Sequence, residues 1–428
     1  MGHIGRRRFV LTAAGTLAAL VTGGDAAARP VGSPAGAARR RHTPLPEFRG
    51  MWLATVSNRD WPSLPGLPAA EQRAELLDHL DTAVARKLNA VVLQVRPAAD
   101  ALWPSPHEPW SQYLTGAQGE HPGWDPLGTA VCEAHRRGLE LHAWFNPYRV
   151  ATHTDPSRLV ENHPARVHPE WVLPYGGKLY YNPGIPEVRT FVQDAMMDAV
   201  NRYDIDAVHF DDYFYPYPVA GQVFDDDGTY ARYGAGFPDK AAWRRNNIDR
   251  LISEMADRIK KAKKAKKAKK AEKDIAFGIS PFGVWRNVAT DPLGSDTTAG
   301  VQTYDDLHAD TRKWIKQGWI DYVVPQLYWH IGFGPADYAK LLPWWSDVVR
   351  GTGVGLYAGE ALYKAGDPAQ PVPWQDPAEL SRHLTLARTY AEVGGHCFFS
   401  AKEVMTDPVG AMARVVADHY PDRVLPPA

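Results

Sequence analysis

The chain has 428 residues and a formal net charge of −1, with 44% hydrophobic and 23% charged residues, the make-up of a large globular protein and not of a disordered or fibrous one. Near-neutrality argues against a dedicated nucleic-acid binder, whose footprint is basic. The 15 Trp and 19 Tyr are a surplus of rings that suits sugar-binding clefts as well as cores.

In chain order, Arg6-Arg7-Arg8-Phe9 precedes an apolar run over 10–21, and Ala26-Ala27-Ala28 supplies small residues for cleavage. Residues 1–28 therefore predict a twin-arginine-type export signal, and the apolar run is too short to span a bilayer as a mature helix. No cysteine follows it, so a lipid anchor is not expected. The expected mature protein is soluble, extracellular or in the cell envelope, with no membrane span. Residues 29–46, rich in Pro, Gly, Ala and Arg, read as a disordered leader. Cys132 and Cys397, the two cysteines, read as free, buried small hydrophobes.

From Phe48 onward a short apolar strand, a loop and an amphipathic helix recur. Strands are predicted over 48–54, 90–96, 140–145, 207–211, 276–280, 322–326, 353–358 and 395–399. Helices fall over 70–87, 126–137, 186–203, 240–273, 305–317, 338–349, 377–393 and 408–419. Strands alternating with helices imply a parallel sheet, and eight units are the number that closes a (β/α)8 barrel over 47–428. An open doubly wound sheet lacks support, since no Gly-rich phosphate turn follows the first strand. Strand-to-helix connections are long and helix-to-strand ones short, so a deep cleft is expected at the carboxyl end of the strands. Within the fourth helix, 260–273 repeats Lys-Lys-Ala. A three-residue repeat precesses around a helix of 3.6 residues per turn, so this basic extension is expected to bury no stripe, and anionic wall polymer is its candidate partner.

Asp206 to Pro218 reads Asp-Ala-Val-His-Phe-Asp-Asp-Tyr-Phe-Tyr-Pro-Tyr-Pro. Val208 and Phe210 alternate with His209 and Asp211 as in a strand, and the prolines and aromatics after Asp212 make a stiff loop. Two carboxylates thus stand where a buried strand opens into an aromatic rim. The same two-residue period turns Gln94, Arg96, His142, Trp144, Asn146, His209, Asp211, Ser280, Gln326, Tyr328, His396 and Ser400 inward. A purely structural barrel fills such positions with Val, Ile and Leu.

Several segments carry a family resemblance: Phe48-Arg49-Gly50-Met51-Trp52-Leu53 with Asn58 and Asp60-Trp61-Pro62; Gln94-Val95-Arg96-Pro97; His142 through Arg149; His209 through Pro216; Ile279 through Asn287; and Pro325-Gln326-Leu327-Tyr328-Trp329. Together they resemble the glycosyl-hydrolase-like 10 family of bacterial envelope proteins. The resemblance implies a (β/α)8 glycosidase-like domain acting on glycan, with wall (peptidoglycan-type) strands the favoured substrate. Glycoside hydrolysis needs two carboxyl groups, one to protonate the leaving oxygen and one to attack or to activate water. Asp211 is the expected ionised partner. Asp212, beside it, and Glu360, just past the seventh strand, are the candidate acids, and Glu360 across the ring favours the wider carboxyl spacing of an inverting enzyme. Arg49, Trp52, Gln94, Arg96, Trp144, Asn146, Tyr148, His209, Tyr213, Ser280, Trp285, Arg286, Gln326, Tyr328 and Trp329 are the expected substrate contacts, with Trp144, Trp285 and Trp329 stacking on sugar faces. No metal or cofactor is called for. A non-catalytic carbohydrate-binding protein is the alternative, and a metal-dependent deacetylase a lesser one, since His209-Phe210-Asp211-Asp212 lacks a further His at ligand spacing.

Overall fold

The computed structural model describes residues 46–268 and 274–427. The predicted export signal, the leader up to residue 45 and the 269–273 part of the Lys/Ala-rich stretch lie outside the described residues. Eleven strands occur among the described residues: β1 (Phe48–Leu53), β2 (Ala90–Arg96), β3 (Glu140–Phe145), β4 (Arg149–Ala151), β5 (Val172–Tyr175), β6 (Lys178–Tyr181), β7 (Ala207–Phe210), β8 (Ala276–Ile279), β9 (Tyr322–Val323), β10 (Gly355–Glu360) and β11 (Val393–Phe399). Eight of them close into a barrel in the order β1-β11-β10-β9-β8-β7-β3-β2. All eight pairings are parallel. With helices between successive strands, this is the (β/α)8 architecture that the alternation predicts. The other three strands form a small antiparallel sheet, β4-β6-β5, inside the long connection after β3.

The two faces of each barrel strand meet different partners. Phe48, Trp52, Val92, Trp144, Tyr322 and Tyr357 pack with one another in the interior. Their neighbours Met51, Leu53, Val91, Leu93, Val208 and Phe277 belong to the larger core beneath the helices. Both faces are buried, as a parallel sheet requires. Deep in the barrel the Tyr322 hydroxyl lies 2.8 Å from His142 Nδ1 and 3.0 Å from His209 Nδ1. Gly278 makes this reach possible. It stands level with His209 on one side and Tyr322 on the other, and a Cβ there would sit 1.9 Å from the Tyr322 ring.

Helix-to-strand turns are short and use left-handed backbone, at Lys87 (φ 60°) before β2 and Gly138 (φ 66°) before β3. The barrel floor, at the amino ends of the strands, clasps the C-terminal segment. Glu47 N donates to Leu425 O (3.2 Å), Arg49 Nη1 to Asp422 O (2.7 Å) and Lys87 Nζ to Tyr420 O (2.7 Å).

Some predicted bounds shift for identifiable reasons. The strand expected over 322–326 ends at Val323, because Pro325 has no N–H for the ladder; pairing resumes at Gln326 as bridges to Phe282 and Gly359. The helix expected over 305–317 is two, Thr303–Asp306 and Thr311–Lys316, parted at His308 in left-handed conformation (φ 52°). In the helix Lys240–Ala268, Met255, Ile259 and Ala262 are all buried, and Lys263 Nζ lies 3.7 Å from the Asp321 carboxylate. The expectation that 260–273 buries no stripe is thus corrected in its first turn, where the i, i+4, i+7 stripe of the preceding helix continues to Ala262. Cys397 is buried but Cys132 is exposed, which corrects its reading as a core residue. Among the described residues no helix is long and apolar enough to cross a membrane.

Candidate active site

A cleft of about 640 Å³ opens at the carboxyl ends of the barrel strands. β7 ends at Phe210, so Asp211 and Asp212 leave the sheet at its mouth and both line the cleft. Asp211 is held by three donors. Trp144 Nε1 gives to Oδ2 (3.0 Å), Asn146 Nδ2 reaches Oδ2 (3.0 Å) and Oδ1 (3.2 Å), and the Tyr213 backbone N gives to Oδ1 (3.2 Å). The orientation of Asn146 is fixed in turn, since its Oδ1 accepts from Arg149 N (2.9 Å). Asp212 has two partners: Gln326 Nε2 donates to Oδ1 (3.0 Å) and the Tyr217 hydroxyl to Oδ2. Gln326 is itself anchored by Ser280 O (3.0 Å).

These surroundings separate the two acids. Burial leaves the pKa of Asp211 above the ordinary carboxylate value, although the Arg149 charge, Asn146, the Tyr213 N–H and Trp144 all pull it down. Burial and then the negative charge of Asp211 push Asp212 up to about 6, against the weaker pull of Tyr217 and Gln326. The pair shares its titration. Asp211 therefore ionises first, and its charge makes Asp212 hold its proton to higher pH, the order that an acid paired with an ionised partner requires.

The structure brings together Trp52, Gln94, Trp144, Tyr213, Ser280, Gln326, Tyr328 and Trp329 around the cleft. Asn146 and His209 stand behind it, fully buried. His209 Nε2 lies 2.9 Å from Ser280 Oγ and accepts from Trp52 Nε1 (3.2 Å), and burial holds its pKa well below the ordinary histidine value, so it is neutral.

Six expected site residues lie elsewhere. Glu360 is the last residue of β10, where Gly359 and not Glu360 takes the inward register. Its carboxylate is completely buried outside the barrel, against Tyr338 Oη (2.8 Å), His383 Nδ1 (2.8 Å) and His396 Nδ1 (3.0 Å). That contact also shows His396, expected to face inward, on the outer side. Burial alone would raise the Glu360 pKa, yet the charges and hydrogen bonds of His383 and His396 hold it near 2, and a carboxyl so held cannot donate a proton to a sugar. Arg96 is diverted by a register shift between Gln94 and Arg96 and pairs, fully buried, with Glu108 (Nε to Oε2, 2.6 Å). Arg49 points outward at the floor, bonded to Glu47 and Asp422. Tyr148 is enclosed in the outer core. Trp285 donates to Asp310 (3.1 Å) under the Arg312 guanidinium, and Arg286 is taken by Asp291 and Asp305; the chain after β8 has turned away from the mouth by then. Ser400, also expected inward, binds Asp60 beside the cleft.

The cleft has further walls that the strand period did not single out: Arg59, Arg149, Tyr217, Phe282, Tyr363, Lys364 and Phe399. Most sit on loops past the strand ends, where alternation stops. Arg149 and Tyr217 were nonetheless visible, the first closing the His142 motif and the second in the aromatic run after Asp212. Arg149 hangs its Nε on Pro97 O (2.9 Å) with its guanidinium carbon 5.3 Å from the Tyr213 ring centre. Among the described residues no group of three or more His, Cys, Asp or Glu side chains is arranged to hold a metal ion.

A parallel eightfold barrel with an aromatic cleft and adjoining carboxylates at its carboxyl rim defines a protein of the glycoside-hydrolase-like class. The family model described as glycosyl hydrolase-like 10 matches residues 47–376, and the chain belongs to that family. It is 49% identical over 383 residues to glycosyl hydrolase YngK of Bacillus subtilis (strain 168), covering 89% of this chain and 73% of that protein. It is 42% identical over 372 residues to glycosyl hydrolase DigH of Escherichia coli (strain K12), covering 82% of each. Among solved structures it is similar to the PgaB (BpsB) glycoside hydrolase domain from Bordetella bronchiseptica, with a TM-score of 0.53 at 12% identity over 89% of this chain and 100% of that one. Alpha-L-fucosidase isoenzyme 2 from Paenibacillus thiaminolyticus gives 0.51 at 12% identity over 87% and 49%. At such identity these two likenesses concern the fold alone.

Proposed function

We propose that the protein is an exported hydrolase of glycosidic bonds in bacterial wall glycan strands, with Asp212 as the proton donor to the leaving oxygen and Asp211 as its ionised partner. The observation that carries this reading is the pair itself: neighbouring carboxylates at the mouth of one aromatic cleft, one held by three donors and the other biased towards its proton. Family membership supports the reaction class. The ring-rich cleft supports a sugar chain as ligand, because aromatic faces stack on the apolar faces of pyranoses. Export rests on the sequence of residues 1–28, and attraction of the Lys/Ala-rich stretch to anionic wall polymer on its charge.

Purified wall glycan, with and without its peptide stems, is the substrate to use, and mass spectrometry of the released fragments the readout. Asp212→Asn and Asp211→Asn should each lower cleavage by about 10²-fold or more while the melting temperature is kept or raised. Full cleavage by either variant removes that residue from the mechanism. Tight glycan binding by the wild type without any fragments released would make the protein a carbohydrate-binding module on the same fold.

A further inference from the structure

We propose that the nucleophile is neither Asp211 nor water activated by it but the carbonyl oxygen of the substrate's own 2-acetamido group, with Asp211 orienting that amide. This rests on the glycan-hydrolase reading above and deepens it. A two-carboxylate mechanism needs groups on opposite sides of the anomeric carbon. Asp211 and Asp212 are the acidic residues among those that line the cleft, and they leave the same strand end. The carboxyl that could have faced them from across the ring, Glu360, is sealed behind β10 by Tyr338, His383 and His396.

The hydrogen bonding of Asp211 points the same way. A carboxylate offers about four acceptor sites, and Trp144, Asn146 and Tyr213 supply three donors to this one. So solvated by fixed dipoles, it is a poor nucleophile and a weak base. One nitrogen, Asn146 Nδ2, is shared between the two oxygens, so an incoming amide N–H can take one of its two places and leave Asn146 on the other. Arg149 adds a fixed positive charge beside it, which favours the ionised acceptor against the effect of burial. Trp144 and Tyr213, which both bond Asp211, also line the cleft.

The steps balance without any further carboxylate. The acetamido oxygen forms a bond to C1 as the bond from C1 to the bridging oxygen breaks, and the leaving oxygen takes the Asp212 proton. The amide N–H meanwhile lies on Asp211, which neutralises the positive charge that develops on the five-membered oxazoline ring. In the second half Asp212, now a carboxylate, takes a proton from water as the water oxygen bonds to C1. The ring opens, the acetamide is restored and Asp212 is protonated again. Two displacements at C1 give overall retention. The substrate class is accordingly a glycan whose cleaved residue carries a 2-acetamido group.

The test uses the full wild-type chain and matched oligosaccharides whose acetamide is replaced by mono-, di- and trifluoroacetamide, with proton NMR of the first-formed anomer. Fluorine drains electron density from the attacking oxygen. The expected result is retained configuration and a kcat falling by about a hundredfold or more from acetyl to trifluoroacetyl, a barrier rise of about 2.7 kcal/mol. Cleavage with inversion, or a rate indifferent to fluorination, overturns this mechanism and leaves the hydrolase reading standing. Absence of cleavage of any acetylated chain overturns both.

Discussion

Asp211 and Asp212 are neighbours in the chain with nearly opposite surroundings, and the pH dependence of the reaction should follow from that contrast. In its proposed role as the acid Asp212 must keep its proton, so kcat/KM should fall as pH rises through about 6. It should fall again on the acid side as Asp211 is neutralised. Tyr217 and its hydrogen bond lower the Asp212 pKa, so Tyr217→Phe is expected to move the descending limb of the pH-rate profile to higher pH; a limb that stays or moves down would show that Asp212 is not the group it reports. Stability carries the same sign. Because the folded chain holds the Asp212 proton up to about 6 while an unfolded aspartate releases it near 3.8, folding loses stability as pH rises through that window. Asp212→Asn should therefore melt higher than the wild type at pH 7. The pair was legible in the sequence because a strand period ran straight into prolines and aromatics. The protonation split was not, since it depends on Trp144, Asn146, Arg149 and Gln326, which reach the site from other strands.

At the level of single elements, strand parity decided what could and could not be read. The period gave the inward face correctly at Gln94, Trp144, His209 and Ser280 and failed elsewhere: on β11 His396 faces outward, on β2 Arg96 is diverted by a register shift, and on β10 Gly359 takes the interior register while Glu360 goes outward. An acidic residue at a barrel rim looks catalytic in sequence, but it can equally be buried when two histidines await it on neighbouring segments. Glu360→Gln removes one side of a fully buried charged cluster and should cost about 3–5 kcal/mol, measured by denaturant unfolding, with little change in kcat. The Glu360 contribution is present above its ordinary pKa of 4.5 and lost as pH falls towards 2. That of His383, whose pKa is raised by Glu360 against the effect of burial, is present below 6.5 and lost as pH rises through its raised value. Gly278 supplies a second element-level test. Its β8 position leaves the space that the Tyr322 ring occupies, so Gly278→Ala should destabilise by about 1–3 kcal/mol or more and displace Tyr322 from His209; an unfolding curve identical to the wild type would mean that the ring has another place to go. The small β4-β6-β5 sheet escaped prediction because its strands are of three or four residues, although Tyr175-Gly176-Gly177-Lys178 is a fair hairpin signal.

Over the whole molecule the barrel was readable because eight repeats of one pattern constrain one another, whereas the loops that finish the cleft have no period to read. Arg59, Tyr363, Lys364 and Phe399 come from three different strand ends and meet only when the ring closes. The other end of the barrel behaves differently. There the floor clasps the last described residues through Glu47, Arg49 and Lys87, main chain to main chain or long side chain to carbonyl. Chemistry at one mouth and fastening at the other give the molecule a polarity that can be exploited. Leu425, exposed beside the floor, is a natural handle: coupling the protein to a bead or a sensor chip from that side turns the cleft outward to face an insoluble polymer. On the proposed wall substrate, a protein immobilised there should work on particulate material about as well as it does free, while one attached at the rim should be stalled by its own support.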